Sequence, residues 1–307
     1  MTPKPITYVK ASPVALTADA SSEDAFVAII GACLRHAEAN RPAVLDGQME
    51  GIHQMRVAFR RLRSGLRIFR PLIPREASAA PVEDIRWLNG FLGPARDWDV
   101  FLDEGMAPML AHFPRKRGLS LFRARAETIC QTHHRTLREA LADPRYRNLT
   151  AGFAKWLDDR AWREKLNEEQ RERLAQPALD FATRLLERHQ QRVEKQGEAF
   201  AELSATERHR LRIRIKELRY ALDFFASLYP VPAVKTYLTA LARLQDSLGI
   251  MNDIAVARRL LDEARLRTVS AARQVIEGWY GCRLDVQEHT FPELWQGFTA
   301  CKRPWKD

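Results

Sequence analysis

The chain has 307 residues and a mass of 35.3 kDa, and 46% of it is apolar; that is enough for one large or two ordinary domains and excludes a disordered tail. A net charge of +10 and a pI of about 9.7 favour polyanionic partners such as nucleic acid, anionic lipid or phosphate chains. Cys33, Cys130, Cys282 and Cys301 show neither CxxC nor His-rich spacing, so no zinc site or disulfide framework is expected, and no apolar run resembles a signal peptide or approaches the roughly 20 residues of a membrane span; a cytoplasmic protein is expected.

Residues 1–21 hold three prolines and little periodicity, which predicts an extended, partly mobile lead-in. From Ser22, read as an N-cap, Phe26, Ile29, Ile30, Cys33 and Leu34 share one face of a helix that closes at Asn40 and Pro42. The next helix, from about Met49 to Arg70, is strongly basic. His53, Arg56, Arg60, Arg63 and Arg67 alternate at spacings of three and four and form one stripe. Met55, Phe59, Leu62, Leu66 and Phe69 form a second stripe, rotated by roughly 100° and suited to a core.

Val82 to Leu92 is the next predicted helix, ended by Gly93-Pro94. Another opens near Arg96-Asp97-Trp98-Asp99 and is interrupted at Gly105 and Pro108. A long helix from Leu119 to Ala142 leads into a charged, less regular stretch, 146–176, read as the connection between two halves. A helix from Pro177 to about Glu202 follows, then Ser204 as the N-cap of a second basic helix. Segments Val231–Leu248, Asn252–Arg267 and Val269–Leu284, with a short piece around Leu294, complete the chain. No strand alternation appears, so the expected fold class is all-α.

The second basic helix repeats the first. His209, Arg212, Lys216 and Arg219 form its polar stripe, and Leu211, Ile215, Leu218, Leu222 and Phe225 its apolar one. His209 less His53 gives an offset of 156, which also pairs Pro74 with Pro230, Leu92 with Leu248, Gly93 with Gly249 and Asp97 with Asp253. Register kept through a proline break and a second helix implies a duplicated unit of about four helices. Two such bundles, each giving one basic helix, would set the stripes around a shared groove. The stripe ends early in the second copy, where Asp223 stands in the place of Arg67, so the first half is expected to carry more of the binding.

At these residues the sequence resembles the CHAD family, the conserved histidine α-helical domain. The matching elements are His53-x-x-Arg56-x-x-x-Arg60-Arg61-Leu62-Arg63 with Leu92-Gly93-x-x-Arg96-Asp97, and His209-x-x-Arg212-x-x-x-Lys216-x-Leu218-Arg219-Tyr220 with Leu244-Gln245-x-x-Leu248-Gly249-x-x-Asn252-Asp253. The resemblance implies two four-helix bundles with pseudo-two-fold symmetry over residues 22–307, as repeat 1 (about 22–145), connection (146–176) and repeat 2 (177–307). It also implies inorganic polyphosphate bound in a central basic channel, and through that an association with polyphosphate granules. Some family members carry a fused triphosphate-tunnel domain with an ExExK motif; the sequence shows no ExExK, so a standalone binding module is expected.

The expected polyphosphate-binding residues are therefore His53, Arg56, Arg60, Arg63, Arg67, His209, Arg212, Lys216 and Arg219, with no catalytic residue, cofactor or metal. A basic group every three or four residues gives about one charged side chain per 5 Å of helix, suited to a linear anion without bases, and arginine adds bidentate donation. Protonated histidines would be further donors. An ordinary solvated helix face would carry acids at i+4, yet positions 51–75 contain no Asp or Glu. Nucleic acid could use the same charge, but no groove-reading motif or stacking platform accompanies it. A phosphohydrolase with a histidine nucleophile would need an acid or metal arrangement that the stripe lacks. An anionic-membrane binder would need exposed apolar side chains, which look committed to the core.

Asp97-x-Asp99 invites a metal reading, but Asp99 matches Ala255 in the second copy. The paired Asp97 and Asp253 are better read as helix-start carboxylates that cap or orient an arginine. Tyr220, Trp87 and Trp98 read as packing groups. His36, His112, His133, His134, His189 and His289 have no equivalents and receive no role.

Overall fold

A computed structural model describes residues 6–267 and 270–306, so the expected helix start at Val269 and the first five residues lie outside it. The described residues are all-α, with one isolated antiparallel bridge. In chain order the helices are α1 (Ser22–Leu45), α2 (Met49–Ile68), α3 (Ala79–Val100), α4 (Ala107–His112), α5 (Arg117–Ala142), α6 (Pro144–Asp158), α7 (Glu168–Ala175), α8 (Ala178–Gly197), α9 (Ala205–Phe224), α10 (Val231–Glu263) and α11 (Ala271–Thr299). None of them is long and apolar enough to cross a membrane.

The offset of 156 maps the start of α1 onto that of α8, and both ends of α2 onto those of α9. The junction of the halves repeats itself as well. Ser22 N–H donates to the Gln176 carbonyl and Ala178 N–H to the Ala20 carbonyl, both at 2.8 Å, and the offset converts each bond into the other. Phe69 and Phe225, another equivalent pair, have ring centroids 6.1 Å apart. Self-pairing of equivalent residues is what a two-fold relation between the halves requires. Both apolar stripes are buried, none of their ten side chains being more than 7% exposed. Burial of that area is the main force holding α2 against α1 and α9 against α8.

Several local stop signals are overridden. α3 runs through Gly93-Pro94: Pro94 forgoes one bond to the Gly90 carbonyl, and Gly90 is open enough to present no Cβ crowding. Leu88, Leu92, Ala95 and Trp98, fully buried on both sides of the break, hold the helix together. In the second half a bare glycine at 249 costs only about 1 kcal/mol, and α10 is continuous. α3 continues through a π-type widening at Phe101–Met106 into α4. α11 likewise absorbs both the predicted segment ending at Leu284 and the piece around Leu294.

Asn40 does not close α1. Its amide accepts from Val9 N–H at 2.9 Å and donates to the Val9 carbonyl at 2.8 Å, while His36 Nε2 lies 2.9 Å from the same carbonyl. The described part of the lead-in is therefore extended, as expected, but pinned, with Val14 buried under it. The N-cap of α1 is Ser21, in a capping box with Asp24, one residue before the expected cap.

The stretch 146–176 is also more ordered than its charge suggested. Tyr146, Leu149, Phe153, Leu157 and Trp162 are buried in the main core. The Glu23 carboxylate gathers Trp162 Nε1 at 3.0 Å and the guanidinium groups of Arg160 and Arg163. A second, smaller core joins the far ends of α3, α5, α10 and α11 around Trp98, Phe101, Phe122, Leu260, Ile276 and Tyr280.

Candidate polyanion-binding cleft

Ser204, in a capping box with Glu207, starts α9, and α9 then packs against α2. Because each helix buries one stripe, the adjacent stripe of each is turned toward the other. The result is a cleft of about 380 Å³ lined by His53, Arg56 and Arg60 from α2 and His209, Arg212 and Lys216 from α9. α3 adds Arg96 and Asp97, α10 adds Asn252 and Asp253, and Phe101 and Tyr280 form part of the wall. A second cavity of about 240 Å³ shares Arg60 and Lys216 and continues past Arg63, Ser64, Arg67, Glu217 and Tyr220. Arg60 and Lys216, equivalent under the offset, thus sit at the midpoint of one groove. Of the nine residues expected from sequence, Arg219 alone lines neither cavity.

The carboxylates organise the arginines. Asp97 accepts from Arg56 Nη1 at 2.9 Å and from Arg259 Nη2 at 2.6 Å. Its counterpart Asp253 is pushed up to about 6 by burial, against the pull of Arg212 and Arg283. The role read for this pair, carboxylates that orient an arginine, is seen directly at Asp97.

Among the described residues, Arg60, Arg63, Arg212, Lys216 and Arg219 form no salt bridge. Arg60 Nε and Arg212 Nε are buried without a hydrogen-bond partner, as is the Tyr220 hydroxyl, whose ring lies 5.7 Å from the Arg60 guanidinium. Burial, with Arg212, Arg60, Arg56 and Arg219 around it, pushes Lys216 down to about 6. Burial and Arg96 hold His53 below its ordinary value. Desolvation also lowers Arg56, Arg63 and Arg212. Burial is the first cause of each of these shifts, and neighbouring cations add to it.

The far end differs. Arg61 pairs with Asp223 and Arg67 pairs with Glu217. Asp223, singled out as the gap in the second stripe, is therefore the partner of Arg61, whose guanidinium also lies 4.9 Å from the Phe224 ring. Burial opposes the charge on Arg61, but Asp223, Cys33 and Tyr220 together outweigh it and raise the guanidinium above its ordinary value. Arg67, about half exposed, is drawn into an ion pair there.

A family model for the CHAD domain matches residues 28–262. The chain belongs to the CHAD family. The crystal structure of the CHAD domain from the plant Ricinus communis is 33% identical, covers 97% of this chain and 98% of its own, and superposes with a TM-score of 0.82. PptA from Streptomyces chartreusis, 14% identical, covers 90% of this chain and 100% of its own at a TM-score of 0.63, a likeness of fold. No curated protein matches the sequence. In this CHAD chain the two motif histidines sit in different company. His209 Nδ1 lies 2.9 Å from Asn252 Oδ1, while His53 faces Arg96, the residue equivalent to Asn252. Arg96 and Asn252 were not on the expected site list, although both lie in the motifs that carried the resemblance; only the folded α3 and α10 bring them beside the histidines.

Proposed function

We propose that this CHAD chain binds inorganic polyphosphate in the groove between α2 and α9 and does not cleave it. The observation that carries the reading is the midpoint of the groove, where Arg60 and Lys216 face each other with no carboxylate bound to either and with Lys216 pushed to about 6. Such a cluster is costly alone and is relieved by a line of phosphate oxygens, to which arginines give forked, charge-assisted bonds. The width set by two helices suits a chain without bases. The acids at the wall, Asp97 and Asp253, face arginines rather than a nucleophile, which supports binding without chemistry.

The test is competition binding of labelled polyphosphate at fixed salt. Arg60→Ala/Arg212→Ala is expected to lose binding with its helical content unchanged. Displacement by short duplex DNA at equal phosphate concentration would move the assignment to nucleic acid. Orthophosphate released over time and abolished by His53→Ala would make the groove an active site.

A further inference from the structure

Outside the groove, on the opposite side of α3, a second polar cluster stands in the smaller core. Asp99 is 2% exposed and points at α5, where Cys130 and His134 occupy successive turns of one helix face. Cys130 Sγ is 3.4 Å from Asp99 Oδ1 and 3.6 Å from His134 Nε2, and that nitrogen is 2.8 Å from the same Oδ1. Three donor atoms of three chemical kinds therefore converge within 4.8 Å of one another. The other carboxylate oxygen, Asp99 Oδ2, is buried without any hydrogen-bond partner.

A purely structural cluster explains this poorly. Two donors crowd onto one oxygen while its twin is left dry, so the desolvation of that buried carboxylate oxygen goes uncompensated.

From this geometry we infer that Asp99, Cys130 and His134 form a three-ligand site for a thiophilic divalent cation of the zinc class. Tetrahedral coordination at about 2.3 Å to sulfur and about 2.0–2.1 Å to nitrogen and oxygen sets the donors about 3.3–3.6 Å apart. Both sulfur separations already fit, and only the Asp99–His134 gap has to open, by about half an ångström. The mix of thiolate, imidazole and carboxylate selects zinc-like ions over magnesium or calcium, which prefer all-oxygen shells. On entry the cation displaces the thiol proton to solvent, and neutral His134 offers Nε2 with its proton on Nδ1. The His134 side chain is 14% exposed, so the fourth position opens toward water. The site would tie α3 to α5 two residues from Asp97, which orients Arg56, yet it stands independently of what the groove binds.

The probe is Co2+ titrated into the chelator-stripped full-length chain. The expected result is one equivalent bound, with a thiolate-to-cobalt charge-transfer band in the near ultraviolet, visible bands of tetrahedral intensity, and displacement by Zn2+. Cys130→Ser is expected to lose the charge-transfer band, and Cys282→Ser/Cys301→Ser to keep it. In the unmutated chain, Zn2+ is expected to protect Cys130 from alkylation as mapped by mass spectrometry, a readout that needs no variant to fold. Absence of the band, its survival in Cys130→Ser, its loss in the double variant, or alkylation of Cys130 at saturating Zn2+ would each overturn the assignment.

Discussion

Replacing Lys216 with methionine should make the free protein more stable and its hold on a polyanion weaker. Methionine keeps the length of the side chain and removes the charge that burial and four arginines oppose. A lysine that titrates at about 6 instead of its ordinary 10.5 has a ceiling cost of about 5 kcal/mol at pH 7, at about 1.4 kcal/mol per pH unit. Counterions in an open groove and side-chain relaxation reduce this to about 1–2 kcal/mol. The sign follows from proton counting. Between pH 6 and 10.5 the unfolded chain binds the proton and the folded one does not, so the stability of the parent rises with pH through that window. The advantage of Lys216→Met is therefore widest below about pH 6 and vanishes near 10.5. Chemical denaturation of both proteins at pH 6, 8 and 10 measures it, and polyphosphate titrations on the same samples should show binding about tenfold or more weaker, the ~1.5–3 kcal/mol of a charged hydrogen bond. A variant equally stable at pH 6, or one that binds as tightly as the parent, would refute the account of the groove as a cation cluster awaiting an anion.

Arg61→Met leaves Asp223 unpaired beside a buried aromatic ring and should cost about 3 kcal/mol in equilibrium unfolding, and Arg61→Asp/Asp223→Arg should recover more than half of the loss from Arg61→Asp alone. Because burial and Arg96 hold His53 below its ordinary value, its protonation on binding should make polyphosphate affinity rise as pH falls from 7 to 5, more in the parent than in His53→Gln by isothermal titration. Gly51→Ala should destabilise by about 1–3 kcal/mol in thermal unfolding, since the added Cβ would stand 2.7 Å from that of Ala43 and 2.9 Å from its carbonyl carbon.

What was legible in the sequence was what depends on neighbours three and four residues apart. The stripes of α2 and α9, the start of α9 at Ser204 and the repeat offset all have that range, and all reappear in the folded chain. Local stop signals misled where distant burial outweighed them. Gly93-Pro94 does not end α3, because Trp98 on one side and Leu88 on the other are fixed by packing that no window of residues displays. Asn40 read as a terminator because its long-range bond to Val9 was invisible. The grouping of Asp99 with Cys130 and His134 is hidden for a related reason: Asp99 has no acidic mate in the repeat, where Ala255 stands at its position. The Cys130-x-x-x-His134 spacing on a single helix face was the local signal that could have found it.

The duplication also explains why the two ends of the groove differ. Under the offset, the position of Arg61 is that of Glu217, and the position of Arg67 is that of Asp223. The ion pairs Arg61–Asp223 and Arg67–Glu217 are thus the same contact made twice, with both cations on α2 and both anions on α9. Two identical copies would have brought four arginines, or four acids, together at this crossing. Divergence of two residues in the second copy removes that repulsion and favours pairing of unlike halves over like ones. It also takes Arg67 out of the uncompensated set. Among the described residues, Arg60, Arg63, Arg212 and Lys216 remain along the groove without a salt bridge, while Arg56 is held by Asp97.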